Sequence, residues 1–323
     1  PLRVFLVLVA LIAVLTAALL VSLYTLQKTR VEKGAEFEAA LSDEALGAAG
    51  WIRAGRVQEI ADRFGLSTEI MSRMFPDKIV YKEGSVTRYA DIDPALPRNG
   101  YSWDECLTWR DGRPSYVAKD GARALLGIDV SHHQKEIDWE RVAADGIDFA
   151  MIRVGYRGSE LGTLQEDTFF RDNIAGASTA GISVGAYFFS QATSEAEAVQ
   201  EADYVVHALS GAAVTMPVVF DIEDVEGDAS RTETLTPERV TSFARAFCDR
   251  ISEAGYTPMI YANTRWFVSR MNLEDLSGYG KWLAQYFEYP AYPYEFAIWQ
   301  YTNTGRVDGV KGDVDMNLAF PAE

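Results

Sequence analysis

Residues 216–224 read MPVVFDIED, and this stretch decides the fold. Val218, Val219, Phe220 and Ile222 are β-branched or aromatic, the composition of a strand buried on both faces in a parallel sheet, and the run breaks off abruptly into acids. Side chains alternate along a strand, so Asp221 and Glu223 share one face and Phe220 and Ile222 the other, with the two carboxylates roughly 7 Å apart. The apolar pair suits a helix-covered outer wall, which turns both acids toward the inside of the sheet.

Similar runs recur on either side. LLGIDVS (125–131), FAMIRVGY (149–156) and SVGAYFFSQ (183–191) precede it, while PMIYANT (258–264), KWLAQYF (281–287), FAIWQYT (296–302) and VDMNLAF (314–320) follow. Amphipathic stretches separate the early runs: DWERVAADG, TFFRDNIAGASTAG, SEAEAVQEADYVVHALSG, TPERVTSFARAFCDRISEAG and the shorter TRWFVSRMN. Nothing helical separates the last three runs. The alternation is that of β-α units, and helices confined to the first five strands predict an α/β, incomplete TIM-like barrel whose final strands close the sheet directly. Thr236-Pro237-Glu238 offers a cap and a first-turn proline, and Gly181 and Gly255 sit where two helices should stop.

In such a barrel the strand ends that carry the connecting loops form the working face. The first strand ends in Asp129 and the last in Asp315, so a closed sheet would gather Asp129, Asp221, Glu223 and Asp315 at one mouth. Taken singly, D-x-E is a weak signal, Asp129 suits a turn and Asp315 a helix cap; their convergence carries the argument. Two neighbouring carboxylates repel, so one should keep its proton to higher pH. The outer Glu223 is expected to be that acid, and the deeper Asp221 to stay anionic. Tyr187, Tyr261, Trp282, Tyr286 and Trp299 fall on the same strand segments and could stack on sugar rings. Tyr187 and Tyr261 have small or polar neighbours and are the better ligand contacts, with Arg153, Trp282 and Gln300 expected beside them; Trp299 reads as core.

A formal charge of −17 over 323 residues argues against nucleic acid as a partner. The two cysteines, Cys106 and Cys248, and three histidines, His132, His133 and His207, are too few for a thiolate cluster or a multi-histidine metal site. The cysteines read as two buried thiols or one inter-domain disulfide. Without a phosphate-cradling glycine loop or a serine elbow, no cofactor and no metal are expected.

Residues 4–27, VFLVLVALIAVLTAALLVSLYTLQ, carry no charge and are long enough to cross a bilayer, so residues 1–28 read as a transmembrane anchor, with a cleaved signal peptide as the alternative. Lys28, Arg30 and Lys33 after the run outnumber Arg3 before it, a bias that taken alone favours a cytoplasmic C-terminal side. Residues 29–50 read as a charged stalk, and 51–122 as a small α+β region of unknown role, with Asp111-Gly112 as a hairpin turn and aromatics that pack on the larger domain at 123–323 or, as the alternative, contact a glycan.

The ordered motifs GIDVSHHQKEIDWERV, DFAMIRVGYRG, GISVGAYFFSQA, VVFDIED, PMIYAN, LAQY and IWQYTNTGRVDGVKGDVDMN resemble the glycoside hydrolase family 25 lysozymes over residues 125–320. The resemblance implies a (β/α)5(β)3 barrel that cleaves the β-1,4 bond between N-acetylmuramic acid and N-acetylglucosamine in peptidoglycan strands. It implies Glu223 as proton donor, Asp221 as its carboxylate partner, Asp129 and Asp315 as the other acids, and Tyr187 and Tyr261 as groove residues. A wall substrate also implies an extracytoplasmic barrel, tethered through the N-terminal helix. Two readings stay open beside it: another N-acetylhexosaminidase acting on chitin-like glycans, and a non-catalytic wall-binding scaffold.

Overall fold

The computed structural model describes residues 67–225 and 230–321. The apolar run at 4–27 and the stalk lie outside the described residues; among those described, no helix is long and apolar enough to cross a membrane. The chain forms two compact units, residues 1–92 and 93–323.

In the first unit, Ser67 caps helix α1 (Thr68–Met74) by accepting a hydrogen bond from the Ile70 amide. A hairpin of β1 (Lys78–Glu83) and β2 (Val86–Asp91) follows. Met71, Phe75 and Val80 make its small core, with Met74 and Tyr89 packed against them.

The second unit opens with a single helical turn, α2 (Trp103–Cys106), and a hairpin of β3 (Leu107–Arg110) and β4 (Arg113–Tyr116). Asp111 and Gly112 both have positive φ, 53° and 77°, which a two-residue hairpin loop demands and which the Asp-Gly pair supplies. Residues 93–124 thus belong to the same compact unit as the barrel. Tyr101 donates its hydroxyl to the Phe296 carbonyl at 2.6 Å, and the Tyr101, Trp103 and Tyr116 rings pack on Phe320.

The remaining chain alternates as its sequence predicts. Strand β5 (Leu125–Val130) leads to α3 (Trp139–Ala144), then β6 (Phe149–Arg157), a short β7 (Leu164–Glu166) and α4 (Phe170–Thr179). Next come β8 (Ser183–Phe189), α5 (Glu195–Ala208), β9 (Val218–Asp221), α6 (Pro237–Glu253), β10 (Pro258–Asn263) and α7 (Thr264–Ser269). The last strands, β11 (Gly280–Ala284), β12 (Ile298–Gly305) and β13 (Val314–Ala319), follow without helices. Hydrogen-bonded neighbours run β5-β13-β12-β11-β10-β9-β8-β6, and β5 pairs with β6 to close the ring. Gly181 and Gly255 end α4 and α6 at φ of 79° and 87°. Thr236 takes the N-cap position of α6 ahead of Pro237, although its side chain makes no capping hydrogen bond.

Two features depart from the sequence reading. Strand β13 is antiparallel to both neighbours, so Asp315 lies at its start, and only the reversed direction delivers this residue to the same rim as the ends of β5 and β9. The short β7, antiparallel to β6, has no apolar signature in LQE and was not anticipated.

Inside the ring, Phe149, Met151, Val219, Met259, Tyr261, Trp282, Ile298 and Ala319 form a continuous core below the mouth. Outward residues meet the helices: Phe220 packs on Phe247 of α6 with ring centroids 5.3 Å apart. Large inward side chains require small partners. A Cβ at Gly127 would sit 2.3 Å from the Phe149 ring, and one at Gly185 2.4 Å from the Met151 sulfur. Because Phe149 is fully buried and cannot swing aside, Gly127→Ala is expected to destabilise the barrel by about 1–3 kcal/mol through overpacking. Gly278→Ala, where a Cβ meets nothing within 4 Å, is expected to stay within about 0.5 kcal/mol; denaturant unfolding of both variants checks the contrast.

Candidate active site

A groove of about 810 Å³ crosses the open end of the barrel, and Asp129, Asp221, Glu223 and Asp315 all line it. Each arrives from a different constraint. Asp221 is the last residue of β9, on the face that carries Val219 into the core; Glu223 lies two residues beyond the strand and is half-buried. Asp129 on β5 stands directly opposite Asp315 on β13 in the antiparallel ladder.

This last pairing forces two carboxyl groups together in a largely dry place. Burial raises the Asp315 carboxyl, then the charge and hydrogen bond of Asp129 and the charge of Glu223 add to it, pushing it up to about 9. Asp129 is raised as well, first by burial, while hydrogen bonds from Asn317, Gln300 and Asp315 pull it back. One proton therefore sits between them, carried by Asp315 and facing Asp129. Two side-chain amides complete the shell: Gln300 Nε2 donates to Asp129 Oδ2 at 2.9 Å and to Asp315 Oδ2 at 3.4 Å, and Asn317 Nδ2 donates to Asp129 Oδ2 at 2.8 Å. Those amides are themselves held. The Tyr261 and Tyr286 hydroxyls donate to Gln300 Oε1 at 2.9 and 2.8 Å, and Trp282 Nε1 donates to Asn317 Oδ1 at 2.8 Å.

Asp221 is treated differently. It is 3% exposed, and its Oδ1 has no hydrogen-bond partner. Burial, then the charges of Glu223 and Asp129, push its carboxyl well above the usual range, against the pull of Arg153. Burial therefore works against the charge expected on Asp221: the residue one layer deeper loses more hydration, and desolvation outweighs the pull of Arg153.

Tyr187 and Arg153 reach the groove from adjacent strands, paired across β6 and β8. Arg153 Nε donates to Asp167 Oδ2 at 2.8 Å, and its guanidinium lies against His132. Burial opposes the charge on Asp167, yet the backbone amides of Phe169 and His132, together with Arg153, hold it below the usual range. Tyr261 and Trp282 are nearly buried and meet edge to face with centroids 4.7 Å apart, so they form the floor. Trp299 is wholly buried in the wall, its Nε1 donating to the Gln285 carbonyl at 2.7 Å. Cys106 and Cys248 are both free and buried. Among the described residues, no group of His, Cys, Asp and Glu is arranged to hold a metal ion.

Beyond the predicted residues, the site uses Asn317, His132 and Asp167. Asn317 was legible in principle, because it lies two positions after Asp315 and so on the same face. The far wall of the groove is the β6–β7 turn, fixed by Arg157: its Nη1 donates to the Gly162 carbonyl at 2.7 Å and its Nε to the buried Glu201 of α5, also at 2.7 Å. Burial pushes Glu201 up to about 7, while the Ser190 hydroxyl at 2.6 Å and Arg157 hold it down.

Acids gathered at the open end of an incomplete α/β barrel, over an aromatic floor, are the form of a glycoside-hydrolase barrel. The chain belongs to glycosyl hydrolases family 25, whose family model matches residues 128–310. It is 32% identical to lysozyme M1 of Streptomyces globisporus over 204 residues, 60% of this chain and 67% of that one. It is 24% identical to the autolytic lysozyme of Clostridium acetobutylicum over 196 residues, spanning 60% of this chain and only 55% of that relative. The lysozyme structure from Streptomyces coelicolor superposes with a TM-score of 0.51 at 30% identity, over 61% of this chain and 92% of that one.

The shared proton makes a pH prediction. Asp315 titrates near its ordinary 3.8 when unfolded and about 9 when folded, so between those values the folded state keeps a proton that the unfolded chain has released. Its contribution to stability is complete below the lower value and is lost as pH rises through the upper one, by at most about 1.4 kcal/mol per pH unit. Asp315→Asn removes this titration, and its melting temperature relative to the parent is expected to climb steadily from pH 5 to pH 9. A pH-independent difference would contradict the proton sharing.

Proposed function

We propose that this chain is a peptidoglycan hydrolase that cleaves the β-1,4 bond between N-acetylmuramic acid and N-acetylglucosamine. The observation that carries the reading is the convergence of Asp129, Asp221, Glu223 and Asp315 on one groove wide enough for a glycan. The lysozyme names of its relatives in Streptomyces and Clostridium support the same substrate.

Glu223, half-buried two residues beyond the end of β9, protonates the leaving oxygen. Asp221 lies deeper and couples to it: burial and the charge of Glu223 raise its carboxyl, and a proton shared by the two must reside on Glu223 when the bond breaks. Asp221 is then the anion that faces the positively charged sugar, its unpartnered Oδ1 free to take the N–H of a substrate acetamido group. The acetamido oxygen attacks the anomeric carbon, giving retention without a protein nucleophile. Asp129 and Asp315 set the floor charge at a single negative unit, with Tyr187, Tyr261, Trp282, Gln300 and Arg153 shaping the walls. The reading also places the barrel outside the cell, tethered by the apolar run at 4–27.

A chitin-directed hexosaminidase would use the same pair, and a wall-binding scaffold would need none of this coupling. Muropeptide release from purified sacculi, compared with chitooligosaccharide cleavage, separates all three. Glu223→Gln is expected to lower kcat by at least about 10³-fold, in line with loss of general acid catalysis. Asp221→Asn should keep some activity but move the alkaline limb of the kcat/KM profile at least about one unit toward acid, because Glu223 loses a neighbouring negative charge. Wild-type turnover by Glu223→Gln, or an unmoved limb in Asp221→Asn, would refute the assignment.

A further inference from the structure

Strands β12 and β13 have two faces. Gln300 and Asp315 point into the acid groove, while their neighbours Tyr301 and Met316 line a second groove of about 580 Å³. The β3–β4 hairpin, which lies outside the family match, builds the other side of it. Trp109 is 39% exposed there, with its ring nearly perpendicular to Tyr301 at 5.7 Å and its Nε1 donating to the Glu288 carbonyl at 3.0 Å. The hairpin is clamped at its other corner by Arg113, which donates to the Asp145 carbonyl and the Arg306 carbonyl, each at 2.9 Å.

An exposed indole whose edge is tied down is a fixed apolar plate. Phe287, Tyr301 and Met316 extend the apolar surface beside it, and Thr302, Thr304, Glu288 and Arg306 add hydroxyls and charges. A sugar matches that combination, since it offers a C–H face to the ring and hydroxyls to the rim. A protein helix would need a wider apolar strip, and a polyanion would meet a strongly acidic chain. The two grooves also share a crest. Tyr286 donates to Gln300 in the acid groove, and Glu288, only two residues on, receives Trp109 in the second; two residues span at most roughly 7 Å.

We propose that this second groove is a glycan-binding site that holds the strand cut in the acid groove, with Trp109 as its stacking platform. The identity of the strand rests on the peptidoglycan reading above. Such a site raises the residence of the protein on a long polymer, because one strand engages both grooves.

The test uses the full chain carrying Glu223→Gln, so that polymer survives, and measures its retention on purified sacculi by sedimentation in detergent. Adding Trp109→Ala is expected to weaken retention about fivefold, in line with the loss of one aromatic contact. Thr304→Arg fills the groove from its exposed rim without removing a packed ring and should weaken retention equally; Trp109→Phe should restore most of it. Affinity of the acid groove for a soluble N-acetylglucosamine trimer, too short to occupy both grooves and read by its competition with the wall polymer for that groove, should change less than twofold in each variant. Equal retention with and without the substitutions, no retention at all, or a parallel loss for the trimer overturns the proposal. Release of reducing ends from sacculi by the unsubstituted chain judges the hydrolase reading separately, so a failed groove and a failed cleft give different results.

Discussion

Asp315 faces Asp129 across the ladder that closes the barrel, and this forced meeting of two carboxyl groups shapes the whole site. Like charges cannot both persist in a dry interior, so the pair keeps one proton and recruits donors for the remaining negative charge. The donors are amides, Gln300 and Asn317, and an amide offers a carbonyl that must be satisfied in turn. Tyr261, Tyr286 and Trp282 meet that need. Residues that look like an aromatic sugar platform in the sequence are thus also the outer shell of a charge-neutralising network. Their substitution would disturb the acids even where no ligand is touched.

Against this satisfied pair, Asp221 stands out for what it lacks. It is as deeply buried as Asp129 but, among the described residues, one of its oxygens has no hydrogen-bond partner, and the Arg153 guanidinium offsets its desolvation only in part. Within a single groove the fold therefore prepares two carboxyl pairs of different character. One is locked by hydrogen bonds and fixes geometry; in the other, the charge of Glu223 adds to burial in raising the Asp221 carboxyl. Catalysis by proton transfer needs the second kind of pair, and a rigid barrel rim needs the first.

Much of this was legible in the sequence, because strand patterning and strand-end acids are local signals. The eight barrel strands, the helices after the first five and the DG hairpin all follow from period, propensity and turn chemistry. What escaped was set by distance in space. The antiparallel course of β13 could not be read from VDMNLAF, since an alternating run carries no arrow; Asp315 was placed at the mouth for a reason that holds only in a parallel strand. Asp221 was read as anionic from its place along the strand alone, whereas depth acts first through desolvation, which raises its carboxyl. Asn317 escaped because an amide has no charge to attract notice, although the two-residue repeat that linked Asp221 to Glu223 links it equally to Asp315.

The same two-residue repeat divides β12 and β13 between two surfaces. Gln300 and Asp315 serve the acids, and Tyr301 and Met316, one position along, serve the outer groove, where the Tyr301 hydroxyl donates to the Met316 sulfur at 3.4 Å. A hairpin from outside the family's shared core has been laid against that outer face, tied to the carbonyls of Glu288 and Arg306. Because one backbone carries both faces, a shift of register that repacked the outer groove would turn the inner carboxylates away. The outer face can therefore vary in its side chains but not in its strand geometry, which is where a chain-specific hairpin can add contacts without disturbing the acids.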